Sequence, residues 1–287
     1  MDSSCNNKEG LIWLNGEFVQ EFDARVSVFD HGLLTGDGVF ETLIAYDNNP
    51  FAYTRHYRRL ERSAKAFNLN VPDINLIRNA CVKVLDSSSI FPARLRITIT
   101  GGVAPLGSEK GRSEENVIIA SNIAPVQPDF SDVITVSFPR NEHGALSGLK
   151  TTSYGENVIA LAQAHSVGAK EAIFGNVSGN LCEGTGSNIF VSHQGKLITP
   201  PLSSGCLAGV TRSLVIEICE RFRIPVSEEN LKIDSLENVE FAFLTSTLRE
   251  VQPIETINGI KLPIVLNSTV QKIKDEFKSL ISENPDP

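Results

Sequence analysis

Several residues stand in settings suited to holding an anion and polarising an organic ring. Gly205-Cys206-Leu207-Ala208-Gly209-Val210-Thr211-Arg212 is a glycine-punctuated turn entering a helix whose apolar residues Leu214, Val215, Ile218 and Phe222 keep one face. Unpaired amides at such a helix start bind phosphate, and the Thr211 hydroxyl adds a donor. Taken alone, the same turn also reads as a capped helix. Thr245-Ser246-Thr247, after an apolar run, supplies further hydroxyls or simply ends a strand. Arg59 offers a charge-assisted bond to the same anion, against the usual reading of a helical arginine as a solvated face. Glu183 lies among glycines and hydroxyls in Leu181-Cys182-Glu183-Gly184-Thr185-Gly186-Ser187-Asn188. A carboxylate facing a heteroaromatic nitrogen favours the protonated ring through opposite-charge pairing; the alternative is a polar turn with Glu183 in solvent.

The elements that must position these residues are legible from periodicity. Leu11 to Val19 alternates about Asn15-Gly16 and predicts a hairpin. Val39 to Tyr46 predicts a strand stopped by Asp47-Asn48-Asn49-Pro50. Tyr57, Leu60, Ala64 and Phe67 form one apolar helical stripe, with Thr54 as the expected cap and Arg58, Arg59 and Arg62 elsewhere on the wheel. A second helix is expected over about Asp73 to Leu85, then strands over Ala93 to Thr100 and Asn116 to Ser121. Pro125 and Pro128 interrupt the pattern. The expected organisation is a flexible segment 1–10, a smaller α/β domain 11–123, a linker 124–132 and a larger domain 133–287. In the second half, strands (Val133 to Phe138, Glu171 to Phe174, Asn188 to Ser192, Phe241 to Thr245) alternate with helices near Asn157 to Val167 and Thr211 to Arg223. That mixed order is α/β or α+β, and the polar end Ser282 to Pro287 is expected to be disordered.

Composition narrows the ligand class. With 26 Lys+Arg against 34 Asp+Glu the net charge is −8, which disfavours nucleic acid as a partner, and no apolar run approaches the roughly 20 residues of a bilayer span. Met1 to Gly10 lacks the pattern of a secretory signal. The odd, widely spaced set Cys5, Cys81, Cys182, Cys206 and Cys219 fits reduced thiols, so a cytoplasmic protein acting on small molecules is expected. No zinc or other metal site is expected, because His31, His56, His143, His165 and His193 have no ligand spacing. Phosphate-loop, zincin and nucleophile-elbow motifs are absent; Ser147-Gly148-Leu149-Lys150 matches a serine acyl-transfer pattern whose companion Lys-Thr-Gly is missing.

The ordered series Phe29-Asp30-His31-Gly32 through Val39-Phe40-Glu41-Thr42, His56-Tyr57-Arg58-Arg59-Leu60, Gly148-Leu149-Lys150-Thr151, Glu183 to Phe190, Leu207 to Arg212 and Leu244 to Thr247 resembles the class IV pyridoxal-phosphate aminotransferase family. The resemblance runs from about residue 11 to 255. It implies fold type IV, with two domains, pyridoxal 5'-phosphate between them, and a homodimer. It implies Lys150 as the lysine that holds the cofactor covalently and Glu183 as the acid on the pyridine nitrogen. Arg59, the amides of Val210 and Thr211, and Thr247 with Ser246 nearby match the phosphate cup, and Tyr154 matches a tyrosine near the cofactor.

The family contains branched-chain and D-amino acid aminotransferases and 4-amino-4-deoxychorismate lyases. Thr42 stands where branched-chain enzymes often carry glycine and lyases threonine. Arg96 stands where lyases carry a basic residue suited to substrate carboxylates. Together with Phe40 they form the expected substrate side, and the pair makes the chain most like the lyase, which releases pyruvate and 4-aminobenzoate, a folate precursor. There Arg96 is expected to bind a carboxylate and Thr42 to orient the leaving group or Lys150. A branched-chain or D-amino acid aminotransferase is the alternative, and a non-catalytic binder of the cofactor the more distant one.

Overall fold

The computed structural model describes residues 10–112 and 114–287, so the expected flexibility of residues 1–9 lies outside the described residues. The chain divides into two units: Met1–Pro125 with Lys150–Ser153 and Pro285–Pro287, and Val126–Leu149 with Tyr154–Asn284.

The first unit contains β1 (Leu11–Leu14), β2 (Glu17–Gln20), α1 (His31–Leu34), β3 (Gly38–Ala45), α2 (Tyr53–Ala66), α3 (Ile74–Ser88), β4 (Ala93–Thr100) and β5 (Asn116–Ile123). Its antiparallel sheet has the order β2-β1-β5-β4-β3, with the Asn15-Gly16 hairpin joining β1 and β2 as expected. Because strand side chains alternate, Val39, Leu43 and Ala45 share an inner face with Leu95, Ile97 and Ile99, where they pack against Leu60, Ala64, Ile77 and Leu85 of the helices. Phe40, Thr42, Arg96 and Thr98 take the other face.

Two expectations need correction. Thr54 is not the cap of α2: the cap lies two residues earlier, at Ala52 in the left-handed region at φ 54°, and the helix starts at Tyr53. The Thr54 amide donates instead to Asp286 Oδ1 at 2.8 Å, a cap supplied by the far end of the chain. The terminal segment is accordingly ordered rather than loose. α6 runs over Ser268–Glu283, and Arg78 Nη2 meets Asp286 Oδ2 at 2.6 Å.

The second unit contains β6 (Ser131–Thr135), α4 (Gly155–Ser166), β7 (Glu171–Gly175), β8 (Leu181–Gly184), β9 (Asn188–His193), β10 (Lys196–Thr199), α5 (Val210–Arg221), β11 (Val226–Glu228), β12 (Ala242–Ser246), β13 (Glu250–Ile257), β14 (Ile260–Lys261) and α6. The strand order is β11-β10-β9-β12-β13-β6-β7-β8, with β14 on β13. β8 ends that path, yet a short turn joins it to β9, and the Gly184 amide donates to the Ser187 carbonyl at 2.7 Å. Only a curled sheet reconciles that turn with that order. β6 begins inside the expected linker 124–132. The lysine segment Lys150–Ser153 groups with the first unit, where the sequence reading puts it in the second. Cys81, Cys182, Cys206 and Cys219 are buried and, among the described residues, in no disulfide, and burial pushes the thiols of Cys206 and Cys219 up to about 11. No helix of the described residues is long and apolar enough to cross a membrane.

Candidate active site

In the first unit the reason for the lysine's placement is an open sheet edge. β3 is the last strand of its sheet, and its unpaired backbone groups need partners. The Phe40 amide donates to the Lys150 carbonyl at 3.1 Å and the Thr152 amide to the Gly38 carbonyl at 2.9 Å, with Val39 bridged to Thr151. The Lys150 amide donates to Ser63 Oγ of α2 at 3.2 Å. Lys150 is thus carried as an added edge strand, and its Nζ lies 4.5 Å from the Phe40 ring centroid.

The Arg96 guanidinium lies 3.7 Å from the same ring centroid, close enough for cation–π attraction. Arg96 is directly opposite Thr42 in the β3–β4 register and diagonal to Phe40. Its Nε donates to Thr98 Oγ1 at 3.0 Å. Phe40, Thr42, Arg96 and the Lys150 amine therefore gather on the sheet face away from the helices.

Arg59 lies on the inner side. Only 5% exposed, it departs from the solvated face usual for a helical arginine. Its Nε and Nη2 donate to the two oxygens of Glu41 at 2.7 and 2.8 Å, and His56 Nδ1 meets Glu41 Oε2 at 2.7 Å. Burial works to raise the Glu41 carboxyl, but the Arg59 charge and the bonds from Arg59 and His56 outweigh it and hold the carboxyl far below its usual range. His56 is moved down, by burial first, against the Glu41 bond. Neither Glu41 nor His56 was singled out as functional from sequence. The available signal was a charged residue in phase with Val39 and Leu43, together with His56 and Arg59 one helical turn apart.

In the second unit, Glu183 Oε2 accepts the Leu207 amide at 2.9 Å, and its Oε1 lies 3.4 Å from Arg140 Nε. Arg140 in turn stacks 4.1 Å from the Phe174 ring centroid and pairs with Glu156 at 2.9 Å. Asn188 Nδ2 donates to the Leu207 carbonyl at 2.9 Å, so the turn before α5 is tied to Glu183 and to β9. Gly209 is the N-cap of α5 without a side-chain cap. A Cβ there would come within 2.0 Å of Asn188 Oδ1, so any larger residue would displace the Asn188 side chain from its bond to Leu207. Val210 and Thr211 open the helix, 7% and 6% exposed. β12 delivers Thr245 opposite Asn188, its buried Oγ1 without a hydrogen-bond partner among the described residues. Ser246 Oγ accepts the Arg249 amide at 3.2 Å, and Thr247 follows, half-buried. Tyr154 is half-buried at the start of α4.

These groups fit pyridoxal phosphate in kind. The second unit offers a held carboxylate for a ring nitrogen and, on the side chains and amides around the uncapped α5 start, donors for a phosphate. The first unit offers an amine against an aromatic ring and a buried arginine. Each unit brings together its own share of the expected residues.

The likenesses to known proteins agree. The family description Amino-transferase class IV matches residues 38–257. A Methanocaldococcus jannaschii protein provisionally assigned as a branched-chain-amino-acid aminotransferase is 36% identical, over 94% of this chain and 96% of its own. The branched-chain aminotransferase of Thermoproteus uzoniensis, solved with norvaline, is similar with TM-score 0.89 and 30% identity over 96% of this chain and 97% of that one. A Legionella pneumophila protein provisionally assigned as a 4-amino-4-deoxychorismate lyase shares the fold, with TM-score 0.85 and 23% identity over 90% and 96% of the two chains. With the family match covering most of the chain and the fold that of the type IV enzymes, this protein belongs to the class IV aminotransferases, which are pyridoxal-phosphate enzymes.

Proposed function

We propose that this chain is an amino acid aminotransferase of the branched-chain type. The observation that carries the reading is the 36% identity to the Methanocaldococcus jannaschii relative over 94% of the chain; the lyase neighbour stands at 23%. When bound, pyridoxal phosphate supplies an electron sink that makes the bond alpha to the substrate nitrogen acidic. The Lys150 amine removes that proton and returns it, a positioned base and acid. The Phe40 ring beneath Lys150 Nζ limits where the amine travels and offers an apolar wall to a substrate side chain. Arg96 receives a substrate carboxylate, with Thr42 orienting the group that faces Lys150. Glu183, held by the Leu207 amide, keeps the ring nitrogen protonated, and Tyr154 lies beside the cofactor. Arg59, the amides of Val210 and Thr211, and the hydroxyls of Ser246 and Thr247 hold the phosphate. The reading goes with a cytoplasmic homodimer; the exposed apolar Val28, Leu33 and Leu106 of the first unit, at 70%, 67% and 73%, support a second copy as partner.

The Thr42–Arg96 pair favours a second reading, the aminodeoxychorismate lyase. One assay separates the two. Leucine and 2-oxoglutarate are expected to give glutamate and the branched oxo acid, and the Lys150→Ala variant to lose this by a factor of about 10³. Stoichiometric 4-aminobenzoate and pyruvate from aminodeoxychorismate, with no oxo acid acceptor and no transamination of leucine, would transfer the assignment to the lyase.

A further inference from the structure

We propose that Glu41, backed by His56, is the positioning residue that aims Arg59, and that this buried pair sets the preference of the protein for a phosphorylated cofactor over its dephosphorylated form. The inference rests on the phosphate role proposed above for Arg59.

His56, Arg59 and Ser63 recur at i, i+3 and i+7, a polar stripe beside the apolar stripe of Tyr57, Leu60 and Ala64 on α2. That polar stripe runs along β3, whose edge carries Lys150: Ser63 Oγ accepts the Lys150 amide at 3.2 Å. Glu41 lies in phase with Val39 and Leu43 and is 0% exposed. A carboxylate buried in that position needs partners, and it has them on both oxygens.

The bonds define a direction. Glu41 takes the Nε and Nη2 donors of Arg59, and two donors of a rigid planar fork fix the plane and axis of the guanidinium. His56 Nδ1 fixes the carboxylate in turn. Arginine has a long, freely rotating stem, so an arginine pinned before its ligand arrives loses less freedom on binding. A negative charge on the same guanidinium also weakens its pull on an anion. A purely electrostatic role therefore predicts that removing the Glu41 charge tightens phosphate binding, whereas a positioning role predicts that it loosens.

Titration of the apo-protein with pyridoxal phosphate and with pyridoxal, followed by absorbance, tests this directly. Glu41→Asp keeps the charge and withdraws the acceptor, and Glu41→Gln keeps the length and removes the charge. Both are expected to weaken pyridoxal phosphate binding about tenfold or more, the scale of a lost charge-assisted bond, while pyridoxal affinity holds within about twofold. His56→Asn, one bond further back, is expected to move the same ratio less and carries the test if the Glu41 variants do not fold. A wild-type ratio in Glu41→Asp, tighter phosphate binding in Glu41→Gln, or parallel weakening for both ligands would overturn the proposal; so would an unchanged ratio in His56→Asn if it is the only variant that folds. Arg59→Ala separates the layers. If it leaves the ratio unchanged, the phosphate role of Arg59 fails and the proposal with it; if it abolishes the ratio while Glu41→Asp does not, only the positioning role of Glu41 fails.

Discussion

Glu41 and Asp37 are both buried carboxylates of the first unit that meet a histidine Nδ1, at 2.7 Å from His56 and at 3.0 Å from His31. The two histidines are nonetheless driven apart. His56 is moved down by burial, with the Arg59 and Lys150 charges adding to it and the Glu41 bond opposing it. His31 is moved up by its bond to Asp37, then by the Gly107 carbonyl, with burial opposing. The difference lies in what else each pair touches. Glu41 is already paired with the fork of Arg59, so a neutral His56 ring donating from Nδ1 suffices. His31 faces acceptors at both nitrogens, Asp37 on one and the Gly107 carbonyl at 2.9 Å on the other, and only the doubly protonated ring donates twice. The same dyad favours the neutral ring under α2 and the protonated ring on the loop that carries Gly107.

Breaking the Arg59 side of the comparison should have the largest effect. Arg59→Ala leaves Glu41 buried without its cation, at an expected cost of about 3–5 kcal/mol in urea unfolding. The double replacement Glu41→Leu with Arg59→Met removes both charges and should recover most of that stability without recovering discrimination for the phosphorylated cofactor. A double variant as unstable as Arg59→Ala would show that packing, not charge, holds this region.

The histidines give a paired prediction of pH dependence. A folded pKa below the unfolded value of about 6.5 means that the contribution of His56 is present above about that pH and is lost as the pH falls through the folded value. For His31, whose folded value is raised, the contribution is full below about pH 6.5 and is lost as the pH rises through the folded value. Unfolding free energies measured across this range should show the gap between wild type and His56→Asn closing toward acid, and that for His31→Asn closing toward alkali. Two gaps that close in the same direction would remove the contrast.

The smallest effect concerns the support of α2 itself. Asp286 accepts the Thr54 amide and hydroxyl, the work of an N-cap side chain performed by a distant residue. Asp286→Ala should cost about 1 kcal/mol, read as a shift in thermal midpoint, and Thr54→Val, which removes only the hydroxyl, should cost less. If Asp286→Ala has no effect, α2 draws its rigidity from its core packing and its bonds to Glu41 and Lys150 rather than from a terminal cap.

Much of this was legible in the chain. The hairpin at Asn15-Gly16, the alternation of Ala93 to Thr100 and the apolar stripe of α2 are local patterns, set by side-chain spacing and turn chemistry. Motif order was enough to bring Lys150, Glu183, Arg59 and the glycine turn before α5 under one family. The cap of α2 was misread because Thr54 has the right residue type, while the side chain that satisfies its amide lies 232 positions away. The grouping of Lys150–Ser153 with the first unit was not legible, because an edge-strand pairing has no signature in the paired segment.

By itself the sequence determined which residue types recur at helical and strand spacing, and hence the elements, the inner and outer faces of β3 and β4, and the family. Tertiary structure alone decided that Glu41 meets Arg59, that His56 is favoured as a neutral ring while His31 is favoured as a cation, and that Lys150 rides on the edge of β3. The reason is physical. Periodicity is carried by neighbours along the chain, whereas partner choice and the dielectric around a charge are set by groups that only folding brings within hydrogen-bond reach.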